Sequence, residues 1–322
     1  MLEARGEISR SRSSAMSAVQ AMEKARQLSS SPRDSLLSAT GAAWLLFKQG
    51  EFARARSLAD SVLAARHVAT PEEAGAVIGL AALTGKIGVT TELSRLTASY
   101  SAAASGVPIP VLDAATSYFV FAALGVCTDT TFHLEHRLDD QVAHYVAEDQ
   151  QTQVATSVKA RPLSMLAPCT GGRSSLGIAP TTNLLKMQQA LARSNSTELR
   201  SLMGAATSNA RTQRPGSVSL DFAYQFAWLS AASGDTTAAI RQLDRALGSL
   251  PSLGALSIRE TASAAAAGRA MALRAEIAAA RGEQDERRKW ARALVDLWAT
   301  ADTPLQPVVA RMRALAAATY SP

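Results

Sequence analysis

Apolar residues recur three and four positions apart along most of the chain, the spacing that places them on one face of an α-helix. Signals for helix starts separate these segments: a serine or threonine precedes a proline, and an acidic or amide side chain follows, at 31–34, 70–73 and 303–306. The pattern predicts no strand and a first set of helices near 14–29, 34–49, 51–66, 71–84, 89–104, 109–126 and 129–149. It predicts a second set near 181–193, 196–210, 217–233, 235–249, 257–281, 283–300 and 304–319.

The amino-acid composition favours an all-α fold. Of the 322 residues, 47% are hydrophobic but only 5% are aromatic, and alanine supplies much of the apolar content. Alanine is the best helix former, whereas a β-sandwich or barrel requires β-branched and aromatic residues. Charged residues make up only 19% of the chain, which argues against a disordered protein.

Glycines recur where the predicted helices turn back on each other. Gly50, Gly85 and Gly125 are separated by 35 and 40 residues, and Gly234 and Gly282 occupy the same kind of turn in the second half. Helix pairs that repeat at about this interval stack on one another. The spacing therefore predicts a row of helix pairs.

Two of these turns carry a fuller pattern. In segments 44–55 and 228–239 a tryptophan precedes the turn glycine, and a small alanine follows it, which is Ala239 in the second segment. A small residue lets two antiparallel helices approach closely, and the tryptophan fills the space between neighbouring pairs. We therefore expect Ala239 to face the partner helix of its pair.

These two segments resemble tetratricopeptide repeats, and the second, which continues to Pro251, is the better match. The segment at Gly282 is a degraded match because Arg287 stands where the alanine is expected. The resemblance implies a right-handed stack of antiparallel helix pairs, a tetratricopeptide-like α-solenoid with degenerate repeats. Residues 274–315 also resemble the repeat tails of bacterial serine/threonine kinases and regulators, but the sequence has none of the motifs of a kinase domain.

Residues 150–180 interrupt the helical pattern. This segment contains Pro162, Pro168, Pro180 and two adjacent glycines. A proline inside a helix removes a hydrogen bond and clashes with the preceding turn. We therefore predict a linker or long loop over 150–180, between an N-terminal helical block over 1–149 and a C-terminal tetratricopeptide-like block over 181–322.

The middle of the chain is basic. The net charge is +6, and between residues 150 and 215 eight basic residues stand against the single acid Glu198. Arg173, Lys186 and Arg193 are the candidate binding residues of this segment. A nucleic-acid- or nucleotide-associated regulator would use such a segment to contact phosphates. The segment lacks the interleaved aromatic residues that stack on bases, and the sequence shows no known nucleic-acid-binding module. We therefore favour the interpretation that this basic segment is a solvated surface.

Three of the four histidines lie close together in the sequence. On a helix, His133, His136, Asp140 and His144 share one face, and imidazole and carboxylate groups at such spacings can bind zinc. The opposite face is apolar, however, so these residues also fit the solvated side of an amphipathic helix. His133 and His144 would lie roughly 16 Å apart, too far for one metal ion. We expect no metal and no cofactor here.

Cys127 and Cys169 could form one disulfide bond. Two cysteines do not make a disulfide scaffold, however, so we expect two free thiols.

No segment of the sequence approaches the ~18 consecutive apolar residues that cross a bilayer, and no apolar block of signal-peptide type follows the basic amino terminus. We therefore expect a cytoplasmic protein, provided that the chain is not a fragment of a longer one.

The sequence predicts a protein that is not an enzyme. The run Gly172–Gly177 is one residue too long for the Gly-x-Ser-x-Gly elbow of a hydrolase, and no strand precedes it. The favoured function is a non-catalytic scaffold or regulatory module that binds a partner peptide or protein in a helical groove. The nucleic-acid- or nucleotide-associated regulator is the alternative, and an enzyme built on the histidine face is third.

Overall fold

A computed structural model describes residues 16–29, 31–66, 68, 70–212, 219–252 and 260–318, and within these ranges all regular structure is helical. The helices are α1 (16–28), α2 (Pro32–Lys48), α3 (Phe52–Ala64), α4 (Pro71–Leu83), α5 (Ile87–Ser105), α6 (Ile109–Ala123), α7 (Asp129–Tyr145), α8 (Glu148–Thr170), α9 (Asn183–Ala192), α10 (Ser196–Thr212), α11 (Leu220–Ala232), α12 (Thr236–Gly248), α13 (Thr261–Ala280), α14 (Gln284–Leu297) and α15 (Gln306–Ala317). Short 3-10 turns cover Arg173–Gly177, Leu250–Ser252 and Thr303–Leu305.

The all-α prediction is confirmed, and local sequence signals explain several helix ends. The Thr70 hydroxyl accepts from the Glu73 backbone N–H, and the Glu73 carboxylate accepts from the Thr70 N–H in return. The predicted turn glycines have a positive φ, a conformation that costs glycine little. These are Gly50, Gly85, Gly125, Gly234 and Gly282. The basic amino terminus and the predicted helix start near 257 lie outside the described residues.

The predicted linker over 150–180 is wrong, because α8 occupies most of it. Pro168 lacks the N–H that would bind the Ser164 carbonyl four residues earlier. The amide of Gln188 on α9 donates to that carbonyl at 2.9 Å instead. Gly171, in the left-handed conformation, ends the helix, and the 3-10 turn follows. A contact between helices therefore compensates for a proline that would otherwise break α8.

The expectation of free thiols at Cys127 and Cys169 is also wrong, because the two cysteines form a disulfide. Cys127 follows the turn at the end of α6, and Cys169 lies in the last turn of α8. The fold places these two turns side by side although 42 residues separate the cysteines in the sequence.

Consecutive helices pack as pairs, an arrangement consistent with an α-solenoid. Helix α13 has a different role, because it packs against α4 and α6 as well as against α11, α12, α14 and α15. Helix α14 also contacts α3. One hydrophobic core therefore contains buried residues from both predicted blocks, among them Phe47, Leu83, Leu124, Leu243 and Leu294. Residues 1–149 and 181–322 thus pack on each other within the described parts of the chain.

Helices α9, α10 and α11 share a second, smaller hydrophobic cluster. Its buried members are Met187, Ala190, Leu199, Phe226 and Leu229. Helix α11 also contributes Leu220, Tyr224 and Ala227 to the main core. The hairpin of α9 and α10 is therefore attached to the main body through α11.

We expect Ala239→Leu to destabilise the protein by about 1–3 kcal/mol, because three added carbons would overpack a close helix contact. Ala239 on α12 is fully buried in the main core. Chemical denaturation followed by circular dichroism measures the change. Ala53→Leu on the exposed side of α3 is the control and should change the stability little. An unchanged midpoint for Ala239→Leu would show that the repeat register is wrong.

Candidate functional site

A groove of about 660 Å³ runs between α10 and α12, with α11 as its floor. Each wall presents residues at helical spacing. Helix α10 contributes Ser196, Leu199, Arg200, Met203 and Gly204, and α12 contributes Ala238, Arg241, Gln242 and Arg245. The floor consists of Phe226, Ser230 and Ser233, and Asp235 stands at the start of α12. The groove is thus lined by apolar side chains and by three arginines.

Two serine hydroxyls and the carboxylate of this lining have partners within the protein. The Ser230 hydroxyl donates to the Phe226 carbonyl at 3.0 Å, and the Ser233 hydroxyl donates to the Ser230 carbonyl at 2.9 Å. The Asp235 carboxylate accepts from the Ala238 N–H at 2.8 Å and so caps α12. A helix N-terminus stabilises a negative charge. These contacts leave the arginines as the charged groups available to a ligand.

Arg200, Arg241 and Arg245 are exposed, and in the described part of the chain no acidic side chain forms an ion pair with any of them. The Nε of Arg200 donates to the Ser196 carbonyl at 3.2 Å, which holds the side chain along the wall of α10. Arg241 and Arg245 are four residues apart and therefore lie on the same side of α12. The lining combines three arginines with one aspartate, so the groove carries a positive charge.

A buried arginine nearby shows the opposite arrangement. The side chain of Arg274 on α13 is 4% exposed and makes ion pairs with Asp244 at 2.7 Å and with Glu283 at 3.0 Å. Burial would lower the pKa of Arg274, but hydrogen bonds to Asp244 and Glu283 raise it overall. A hydrogen bond from Arg281 lowers the pKa of Glu283, and a hydrogen bond from Arg274 lowers it further. Carboxylates thus neutralise this arginine, in contrast to those of the groove.

The predicted binding residues Arg173, Lys186 and Arg193 are exposed but do not line this groove. Arg173 lies in the 3-10 turn, where its Nε donates to the Thr170 carbonyl at 3.2 Å. Lys186 lies on α9, and Arg193 caps the end of that helix. Among the described residues no hydrogen bond or ion pair joins the three. Their proximity in the sequence therefore does not make them part of the groove.

The histidine face lies on α7, as the sequence predicts. His133, His136, Asp140 and His144 are all exposed. A nitrogen of His133 lies 2.7 Å from the Asp129 carbonyl, and the ring of His144 packs edge-on against Tyr145. The described residues contain no cluster of three potential ligands that could hold a metal ion.

A second charged cluster connects α6, α7 and α8. The fully buried Tyr118 donates to Glu135 at 3.2 Å, and Lys159 lies 3.1 Å from Glu135 and 2.9 Å from Asp139. Burial and the charge of Glu135 raise the pKa of Tyr118 far above its ordinary range. Burial would lower the pKa of Lys159, but the two carboxylates raise it. Tyr118 therefore stays neutral and Lys159 stays charged. These charge states fit a structural role, in which the three helices are held together.

No known protein family, curated protein or solved structure matches this chain. In addition, no helix in the part of the chain that the structure describes has the length and apolar character to cross a membrane. The groove between α10 and α12 is therefore interpreted from its own geometry and charge.

Two features of the groove are visible in the sequence in retrospect. Ala238, Arg241 and Arg245 have the spacing of one helix face, and Leu199 and Met203 have the same spacing on the preceding helix pair. Local spacing identifies each face separately. It does not show that the two faces border one groove, because that depends on how α10 and α12 sit on α11.

Proposed function

We propose that this protein is a non-catalytic interaction module that binds an acidic segment of a partner protein in the groove between α10 and α12. The observation that carries the proposal is the presence of three arginines, none of which pairs with an acidic side chain among the described residues, beside the apolar side chains of Leu199, Met203 and Phe226. In this proposal the helix pairs form a tetratricopeptide-like right-handed stack, whose repeats present such grooves to peptides.

The spacing of the arginines favours a peptide with regularly placed carboxylates. Arg241 and Arg245 are about 6 Å apart along α12, close to one helical turn. Acidic residues four apart on a helix, or two apart on an extended strand at roughly 6.8 Å, match this interval. Arg200 contributes a charge from the opposite wall. Guanidinium groups bind carboxylates through paired hydrogen bonds, which gives such contacts directional specificity.

The apolar part of the lining favours a partner segment that also carries large hydrophobic side chains. Leu199 and Phe226 are buried, and Met203 is half-buried at the edge of the groove. A methionine adapts its shape to different side chains. The expected ligand is therefore an acidic segment interrupted by one or two large apolar residues, which insert between the two helices.

The chemistry of the lining agrees with binding without catalysis. Its serine hydroxyls at 230 and 233 donate to backbone carbonyls, and no histidine, cysteine or lysine lines the groove as described. A hydroxyl nucleophile requires a neighbouring base.

A nucleic acid is the second candidate ligand, because the same arginines could contact phosphates. Binding of single strands usually adds aromatic rings on which bases stack. The one aromatic residue of the groove, Phe226, is 4% exposed and offers no such face. The peptide is therefore the favoured ligand.

Selection from a random peptide library against the purified protein tests the proposal. We expect enriched peptides to contain two or more acidic residues next to a large apolar one. A variant with Arg200→Gln, Arg241→Gln and Arg245→Gln should bind the selected peptide roughly 10–100-fold more weakly, since each charge-assisted contact at an exposed site contributes about 0.5–1 kcal/mol.

A variant with the same loss of charge elsewhere is the control. Arg33, Arg54 and Arg313 are exposed, lie outside the groove and form no ion pair with any residue that the structure describes. Replacing these three by glutamine should weaken peptide binding less than twofold. Equal losses in the two variants would show that net charge, and not the groove, determines binding.

A further inference from the structure

The disulfide joins the ends of two helices that other contacts already hold together. Arg269 on α13 donates to the carbonyls of Ala122 and Ala123 at the end of α6, at 3.1 Å each. It also donates to the Met165 carbonyl on α8 at 2.8 Å. The Cα atoms of the two cysteines are 5.5 Å apart, the usual separation in a disulfide. The packing of α6, α8 and α13 therefore brings the thiols into bonding position.

The two cysteines lie at different kinds of helix end. Cys169 lies in the last turn of α8, where the partial negative charge of a helix C-terminus disfavours a thiolate. Cys127 directly precedes Thr128, the N-cap of α7, and a helix N-terminus stabilises a thiolate. The helix ends therefore favour a thiolate at Cys127 and disfavour one at Cys169.

The exposure of Cys127 favours a crosslink. Free cysteines are among the most buried residues of proteins, yet Cys127 is exposed. Cys169 is half-buried and packs against the main core, whereas a need for a small apolar side chain does not explain the exposed position of Cys127. A crosslink to Cys169 explains it.

We propose that Cys127 and Cys169 are oxidised while the protein folds, and that the native protein works in an oxidising compartment with this crosslink permanently in place. In this step the two thiols lose two protons and two electrons and form one S–S bond. A disulfide-bearing oxidant accepts the electrons and protons by thiol–disulfide exchange and becomes a dithiol. Disulfides of this structural kind are rare in reducing cytosol. An oxidising compartment thus takes the place of the cytoplasmic location expected from the sequence.

The crosslink closes a loop that contains α7 and nearly all of α8. A closed loop of this length restricts the unfolded chain and so stabilises the folded one. We expect reduction of the disulfide to lower the melting temperature of the whole protein by roughly 5–10 °C.

The redox state in the cells that naturally make the protein provides the first test. Cells are quenched in acid, and the denatured protein is treated with a maleimide of high mass before and after reduction. We expect no modification before reduction and two modified thiols after it. Free thiols before reduction would overturn the proposal.

The melting temperature of the purified full chain, measured with and without a thiol reductant, provides the second test. The matched control is the variant Cys127→Ser/Cys169→Ser, which should melt at the temperature of the reduced wild type and should not respond to reductant. The proposal would also be overturned if the melting temperature of the wild type changed by less than 1 °C on complete reduction, because the crosslink would then not stabilise the folded protein.

Discussion

Replacing Arg269 by methionine is expected to destabilise the protein by about 3–5 kcal/mol, the range seen when a buried charged group with several partners is lost. Arg269 lies on α13 with only 8% of its surface exposed. Its guanidinium donates to three backbone carbonyls of α6 and α8 and lies 4.5 Å from the centre of the Tyr224 ring. No carboxylate in the described residues pairs with it. The side chain therefore serves to satisfy the carbonyls where two helices meet.

The physical reason for the large effect is the loss of donors and not the loss of volume. Methionine fills much of the same space but offers no N–H group. The Ala122 carbonyl also accepts from the Gly125 N–H at 3.0 Å, so the Ala123 carbonyl at the end of α6 is the one most affected by the loss of Arg269. A buried carbonyl that loses its partner costs about 1–3 kcal/mol.

Denaturation by urea, followed by circular dichroism, measures this effect. Arg281→Met at the end of the same helix is the matched control, because Arg281 is exposed and forms a surface ion pair with Glu283. The control should cost less than about 1 kcal/mol. If the two variants lose similar stability, the buried guanidinium does not hold α6 and α8 to α13.

Gly268→Ala is expected to destabilise the protein by about 2–3 kcal/mol, although alanine is normally the better helix former by about 1 kcal/mol. A Cβ atom at position 268 would lie 2.4 Å from Cζ2 and 2.6 Å from Cε2 of Trp298. Trp298 cannot move away easily, because it is 1% exposed and its indole N–H donates to the Leu83 carbonyl at 2.8 Å. The added methyl group would push α13 away from the tryptophan that links it to α4.

Gly75→Ala is the matched control for this prediction. Gly75 lies inside α4, and a Cβ atom there would meet nothing within 4 Å. The same substitution should therefore stabilise the protein by about 0.5–1 kcal/mol. Denaturant midpoints of the two variants should move in opposite directions. A shift of Gly268→Ala toward higher stability would show that α13 does not pack closely on Trp298.

Helix positions and turn glycines were predictable because both depend on neighbouring residues. The capping box at Thr70 and the left-handed turn at Gly234 lie entirely within a few positions of the chain. Helix α8 was not predictable in this way. Its Pro168 is tolerated because Gln188, twenty positions later, donates to the freed carbonyl, and no local pattern announces such a contact.

Long-range packing also explains what the sequence did not show about the site. A spacing of 42 residues between two cysteines is no motif, and only the meeting of α6 and α8 pairs them. Likewise, Arg173, Lys186 and Arg193 lie in the basic stretch of the sequence, whereas the groove combines Arg200 with arginines from a separate helix pair. The number of basic residues in a stretch of sequence therefore does not predict which arginines the fold brings together on one surface.

In the proposed function, the groove between α10 and α12 recognises an acidic peptide with apolar side chains. The most direct measurement is fluorescence anisotropy with two labelled ligands of equal negative charge, the library-selected peptide and a single-stranded oligonucleotide, each titrated with the full chain at physiological salt. We predict that the peptide binds at least tenfold more tightly than the oligonucleotide and that alanine in place of its apolar residue weakens binding. The variant with Arg200→Gln, Arg241→Gln and Arg245→Gln should bind the peptide roughly 10–100-fold more weakly than the wild type does. Tighter binding of the oligonucleotide, with a steep salt dependence, would contradict the account.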